Sequence, residues 1–112
     1  MPVLMNLLKQ GAGTWTAQTI SPSVTLPSHT SMLTGVSPKV HKVLWNDWQP
    51  EKGLVTVPTV FGIAKQKGLI TALYAGKPKF KHLNIPGTLD SFGIPSYSAK
   101  RVAKVAAQYI VE

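Results

Sequence analysis

The stretch Ser21-Pro-Ser-Val-Thr-Leu-Pro-Ser-His-Thr-Ser-Met-Leu-Thr-Gly35 constrains this chain more than any other. It is rich in hydroxyls, carries prolines at positions 22 and 27, and closes on a glycine. Pro27 disfavours helical geometry at Leu26, yet it suits the first turn of a helix that follows. The pattern predicts a helix from Pro27 to Thr34, stopped by Gly35. Thr25 then stands just before a helix N-terminus, where free backbone N–H groups and the macrodipole favour an anion. A hydroxyl at that point has two uses. It caps the helix, as Ser and Thr before helices usually do, or it attacks a phosphoryl group that the same amides hold.

The residues that follow discriminate between the two. Thr25-Leu-Pro-Ser-His29 is succeeded by Leu33-Thr-Gly35, Ser37-Pro38, His41 and Trp45-Asn46, in that order. This series resembles the nucleophile segment of the type I phosphodiesterase/nucleotide pyrophosphatase family, within the alkaline phosphatase superfamily. In that family a Thr precedes an aromatic or aliphatic residue, Pro, Asn or Ser, and His. A Thr-Gly, a Pro, a His-Gly and an Asn come after it. The resemblance implies Thr25 as the nucleophile and as a metal-contacting residue, with Asn46 hydrogen-bonding the bound phosphoryl oxygen. It departs from the family at Lys42, where glycine usually follows the histidine. A turn requiring positive φ at that position would be strained by lysine.

The same resemblance implies two zinc ions, held by aspartates and histidines, that bracket the phosphoryl group and lower the pKa of the Thr hydroxyl. Attack then gives a phospho-threonine intermediate that water hydrolyses. Asp47 and Asp90 match none of the family's ligand positions, and the spacing of His29 and His41 fits no short zinc motif. Both histidines read as structural hydrogen-bonding residues. Most zinc ligands are therefore expected outside the chain, which reads as an N-terminal slice of the catalytic domain, over residues 1–112. The expected partners are a small phosphodiester or nucleotide substrate and the missing remainder of that domain.

Size and charge bound the alternatives. With 112 residues, the chain is long enough for one small domain and too short for two. Charged residues make up 14% and hydrophobic ones 44%, a balance that forms a core and not a disordered segment. The formal charge of +8 favours phosphate-bearing partners. Its lysines are scattered, however, with one denser group at Lys77, Lys79 and Lys81, so no specific nucleic-acid site is expected. A basic nucleic-acid-binding module and a non-catalytic interaction domain are the competing readings. The absence of cysteine excludes disulfides and thiolate metal sites. No run reaches the length of a membrane span. Met1–Leu8 is apolar but lacks the basic lead-in and small-residue cleavage site of a signal peptide. Because the family is commonly exported, the true N-terminus is expected upstream.

The remaining elements follow from periodicity. Pro2–Gln10 reads as a helix with Val3, Leu4, Leu7 and Leu8 on one side, ended by Gly11 and Gly13. Thr14–Ile20 alternates like a strand and would deliver the chain to the nucleophile loop at the carboxyl edge of a parallel sheet. Gly35–Pro58 is irregular; Trp45 and Trp48 within it either wall a substrate pocket or anchor the loop to the core. Thr59–Lys67 reads as a helix with Val60, Phe61 and Ala64 inward, Leu69–Ala75 as a buried strand ended by Gly76, and Lys77–Leu83 as a basic turn or short helix on the surface. A short strand is expected within Gly87–Tyr97, then a helix over Ser98–Glu112 with Ser98 as its cap. The fold class expected is α/β, a three-layer, mostly parallel, alkaline phosphatase-like sheet present in part.

Overall fold

A computed structural model of the chain describes residues 1–111. Five α-helices are described: α1 (Pro2–Gln10), α2 (Thr25–Thr34), α3 (Pro38–His41), α4 (Val60–Gln66) and α5 (Ala99–Val111). Two short strands, β1 (Ala72–Tyr74) and β2 (Ser91–Gly93), pair in parallel with Leu73 opposite Phe92. Short 3₁₀ helices occupy Pro50–Lys52 and Pro78–Leu83.

Helix α2 begins two residues earlier than Pro27 alone predicts. Pro27 takes the third helical position, where the backbone N–H has no intrahelical partner in any case, so its missing donor is harmless there. Val24 holds the extended N-cap geometry, and Thr25 is the first helical residue. At the other end Gly35 adopts φ 73°, and its N–H reaches the Ser31 carbonyl at 2.8 Å, the stop that its position predicts. The short α3 ends at Lys42, which is left-handed with φ 63°.

The core gathers around α2. Leu26, Val43, Val55, Ala75, Phe80 and Leu83 are buried, with Leu33, Trp45 and Leu73 packed against them. Much of this core therefore comes from irregular segments, the 43–55 loop and the 3₁₀ helix at 78–83. The short helix expected within Lys77–Leu83 is therefore present, but not as a surface element: Phe80, His82 and Leu83 are buried, while Lys77 and Lys81 are exposed. In α4, Phe61 and Ala64 are half-buried, but Val60 points outward at 51% exposure.

Thr14–Ile20 forms no strand. The Thr16 N–H bonds the Thr14 hydroxyl at 3.1 Å, a local turn that removes a ladder donor, and no described strand pairs with the segment. The strand expected over Leu69–Ala75 shortens to three residues, and Leu69 and Ile70 are exposed. Helix α5 lies on β1, with Tyr109 and Tyr74 ring centroids 6.0 Å apart. It starts after Ser98 as expected; the expected last residue, Glu112, lies outside the described residues.

Neither α1 nor α5 contains a fully buried residue. The radius of gyration is 15.3 Å, where a compact chain of this length has about 13 Å. The observed architecture is thus a small helix-and-strand assembly with a two-stranded parallel sheet, and three layers are not seen among the described residues. No described helix is long and apolar enough to cross a membrane.

Candidate functional site

Helix α2 carries five hydroxyl side chains, and four of them are engaged. Thr30 donates to the Leu26 carbonyl at 2.8 Å and Thr34 to the Thr30 carbonyl at 2.6 Å. Ser31 meets His41 Nε2 at 2.9 Å, and Ser28 meets the Thr19 hydroxyl at 3.2 Å. Thr25 Oγ1 has no such partner among the described residues, and the residue is half-buried. It does not cap the helix either, since that position belongs to Val24, which has no side-chain cap.

The capping is done from a distance. Asn46 Oδ1 accepts the Leu26 N–H at 2.9 Å, reaching across twenty residues of sequence to the peptide next to Thr25. Because Leu26 N–H is a donor, the atom facing it must be the amide oxygen. That fixes the orientation of the Asn46 amide and leaves its NH₂ group free to donate. Two residues singled out by sequence are therefore brought to one helix terminus.

The same bond corrects the expectation that several first-turn amides are free for an anion. Leu26 N–H is taken by Asn46, and Pro27 has none. Only the Thr25 N–H remains without a protein partner among the first three helical positions.

Thr25 opens onto a cleft of about 490 Å³ beside the carboxyl end of β1, where Ala75, Gly76 and Lys77 follow the strand. Phe80, Tyr97 and His29 contribute aromatic walls. Lys77 is the charged side chain of this lining. Sequence reading placed it after a strand ended by Gly76 and grouped it with Lys79 and Lys81 as surface charge; that it lines the same cleft as Thr25 is visible only in the fold.

His29 donates from Nδ1 to the Thr25 carbonyl at 2.9 Å and packs edge-on to Phe80, with centroids 5.1 Å apart. His41 is buried. It accepts the Val43 N–H at Nδ1 (3.0 Å), so Nε2 carries the proton toward Ser31. Burial pulls its pKa below the ordinary 6.5, because the charged ring loses hydration. Both histidines thus act within the framework of α2 and its neighbours.

Asp90 sits at the other end of the sheet from Thr25. It precedes β2 and binds Lys65 Nζ at 2.7 Å and the N–H of Thr71, the residue before β1, at 2.7 Å. The Lys65 hydrogen bond, followed by that of Thr71, holds its carboxyl below the ordinary 3.8. Asp47 is exposed. Among the described residues no group of three or more His, Asp or Glu side chains converges as a metal cage would require. The residues present do not by themselves fit a zinc pair. Thr25 Oγ1 offers a single oxygen donor.

Trp45 and Trp48 anchor their loop. Trp45 Nε1–H donates to His82 Nε2 at 3.1 Å, Trp48 lies 4.5 Å from the His82 ring, and Lys52 and Lys81 sit over the two indoles. Sequence reading did not single out His82, the centre of this cluster.

A profile of the type I phosphodiesterase / nucleotide pyrophosphatase family matches residues 1–83, which include Thr25, Asn46, Lys77 and His82. No curated protein and no solved structure matches the chain. The family match spans most of the chain and contains the whole Thr25–Asn46 arrangement. The chain belongs to the type I phosphodiesterase / nucleotide pyrophosphatase family.

Proposed function

We propose that this chain supplies the nucleophile segment of a hydrolase acting on phosphodiester or pyrophosphate bonds, with Thr25 as the attacking residue. The observation that carries the reading is the unengaged Thr25 hydroxyl, alone among the five of α2, at the mouth of the cleft that Lys77 also lines. Thr25 Oγ1 bonds to phosphorus, the bond from phosphorus to the leaving oxygen breaks, and the hydroxyl proton passes to solvent. Water then attacks the phospho-threonine and restores the hydroxyl. The free NH₂ of Asn46 and the Thr25 N–H are the donors offered to the phosphoryl oxygens. Lys77 supplies positive charge along the cleft, where a phosphodiester or nucleotide brings negative charge.

Two zinc ions, as the family resemblance implies, would activate a threonine that is otherwise a weak nucleophile. The described residues bring only Thr25 Oγ1 toward such a centre. The domain assignment proposed for residues 1–112 is therefore a partial alkaline phosphatase-like catalytic domain, completed by ligands from elsewhere in that domain. The chain alone, given zinc, should not hydrolyse bis-p-nitrophenyl phosphate. In a catalytic domain assembled around this segment, Thr25→Ala should abolish turnover while leaving zinc content and folding intact. Zinc-dependent turnover by the chain alone, or full turnover by the Thr25→Ala domain, would overturn the reading.

A further inference from the structure

His82 is fully buried and makes hydrogen bonds through both ring nitrogens. Nδ1 donates to the Gly53 carbonyl at 2.6 Å. Nε2 lies 3.1 Å from both Trp45 Nε1 and the Gln49 backbone nitrogen, two groups that can only donate. The roles are therefore fixed: Nε2 is the acceptor and Nδ1 carries the hydrogen. The backbone adds to the grip, because Val55 N–H bonds the His82 carbonyl at 2.9 Å. These contacts fall at 45, 49, 53 and 55, so one side chain and its carbonyl hold the loop on both sides of Asn46. Apart from Pro50–Lys52, a single 3₁₀ turn, the loop from 43 to 55 has no regular hydrogen-bonded structure of its own.

We infer that His82 is the positioning residue for Asn46: by accepting from Trp45 and Gln49 it holds the loop where Asn46 Oδ1 reaches the Leu26 N–H beside Thr25. The inference rests on the assignment of Thr25 and Asn46 above for its catalytic meaning, but its structural content is independent of it. An imidazole suits the task because two rigidly placed nitrogens, one donor and one acceptor, bridge two parts of a loop without a flexible stem. Lysine or arginine offers no acceptor, and a carboxylate offers no donor to Gly53.

The test is amide hydrogen exchange of the chain, read at Leu26 and, as a control within the same helix, at Gly35, whose N–H bonds Ser31. In His82→Ala, Leu26 exchange should accelerate by about tenfold more than Gly35 exchange, because the Asn46 acceptor is released while the helix remains. His82→Gln, which restores an acceptor oxygen, should recover part of that protection. Trp45→Phe removes one indole donor but keeps His82, and should give a smaller acceleration at Leu26. It keeps the test decisive if His82→Ala does not fold. Equal acceleration at Leu26 and Gly35, or none at Leu26, would overturn the inference and assign His82 to general core packing. The outcome is separable from the nucleophile assignment. If Thr25→Ala leaves turnover intact in the assembled domain, the catalytic reading fails while the exchange result still decides whether His82 places Asn46.

Discussion

Thr25, Asn46 and Lys42 each show how far a single residue's chemistry can be read before the chain folds. Its neighbours in sequence single out Thr25, but only the fold shows that it is the first helical residue, that Val24 at the N-cap offers no side-chain acceptor, and that Asn46 accepts the Leu26 N–H in its place. Lys42 is the reverse case. Its position after His41, where the family has glycine, points to a positive φ, and the structure gives it φ 63°, the one positive φ outside glycine among the described residues. Lys42→Gly should therefore stabilise the chain, by about 0.5–1 kcal/mol once the extra freedom of glycine in the unfolded state is counted. Urea denaturation of the two proteins checks this, and a variant less stable than the parent would show that the Lys42 side chain makes a compensating contact. His41 makes a further prediction. Well above pH 6.5 its ring is uncharged in both folded and unfolded chains, and the full stability is present. As the pH falls through 6.5 the unfolded chain takes up the proton first, so stability declines until the pH reaches the lower folded value. Denaturation midpoints between about pH 8 and about pH 5 should fall more steeply for the parent than for His41→Gln. Parallel curves would contradict this account of His41.

At the scale of elements, helix ends were more legible than strands. Gly35 stops α2 and Thr59 caps α4, its hydroxyl accepting the Gly62 N–H at 3.3 Å, because these devices are local and act through the chain's own backbone. A strand depends on a partner that local sequence does not name. Thr14–Ile20 alternates correctly yet bonds to itself, and β1 keeps only the three residues that face β2. Thr25 and Asn46 were legible as members of a family pattern, whereas the bond from the Leu26 N–H to Asn46 Oδ1 that brings them to one helix end spans the loop, which Trp45 and Trp48 anchor on His82. Lys77 and His82 escaped because each belongs to a segment that reads as basic surface, while the fold buries Phe80, His82 and Leu83 within it. The remote cap can be weighed by substitution. Asn46→Ala removes the acceptor for Leu26 N–H and should cost about 1–2 kcal/mol of stability, as loss of an N-cap does. In the assembled domain, loss of its phosphoryl donor should raise the barrier by about 2–4 kcal/mol. Unchanged turnover would remove Asn46 from the site, whatever happens to stability.

For the molecule as a whole, the core is small, and many large apolar side chains lie outside it. Val3 and Leu7 on α1, Leu69 and Ile70 before β1, and Ile110 and Val111 on α5 all remain exposed. With β1 and β2 the only strands described, each has a free edge. The isolated chain should accordingly self-associate as its concentration rises, and light scattering would detect this as a growing mean mass. A monomer throughout the range would contradict the view that these faces are sticky. The +8 charge opposes association but is screened by salt, so the growth should be stronger at high ionic strength.

Attack by Thr25 leaves the phosphoryl group on its hydroxyl, and that group can be caught in place. The assembled domain would be mixed with bis-p-nitrophenyl phosphate and zinc, quenched in acid during turnover, digested and examined by mass spectrometry. A phosphoryl ester is expected on Thr25, absent from Thr25→Ala. Turnover with an unmodified Thr25 peptide, or with the adduct on another residue, would contradict it.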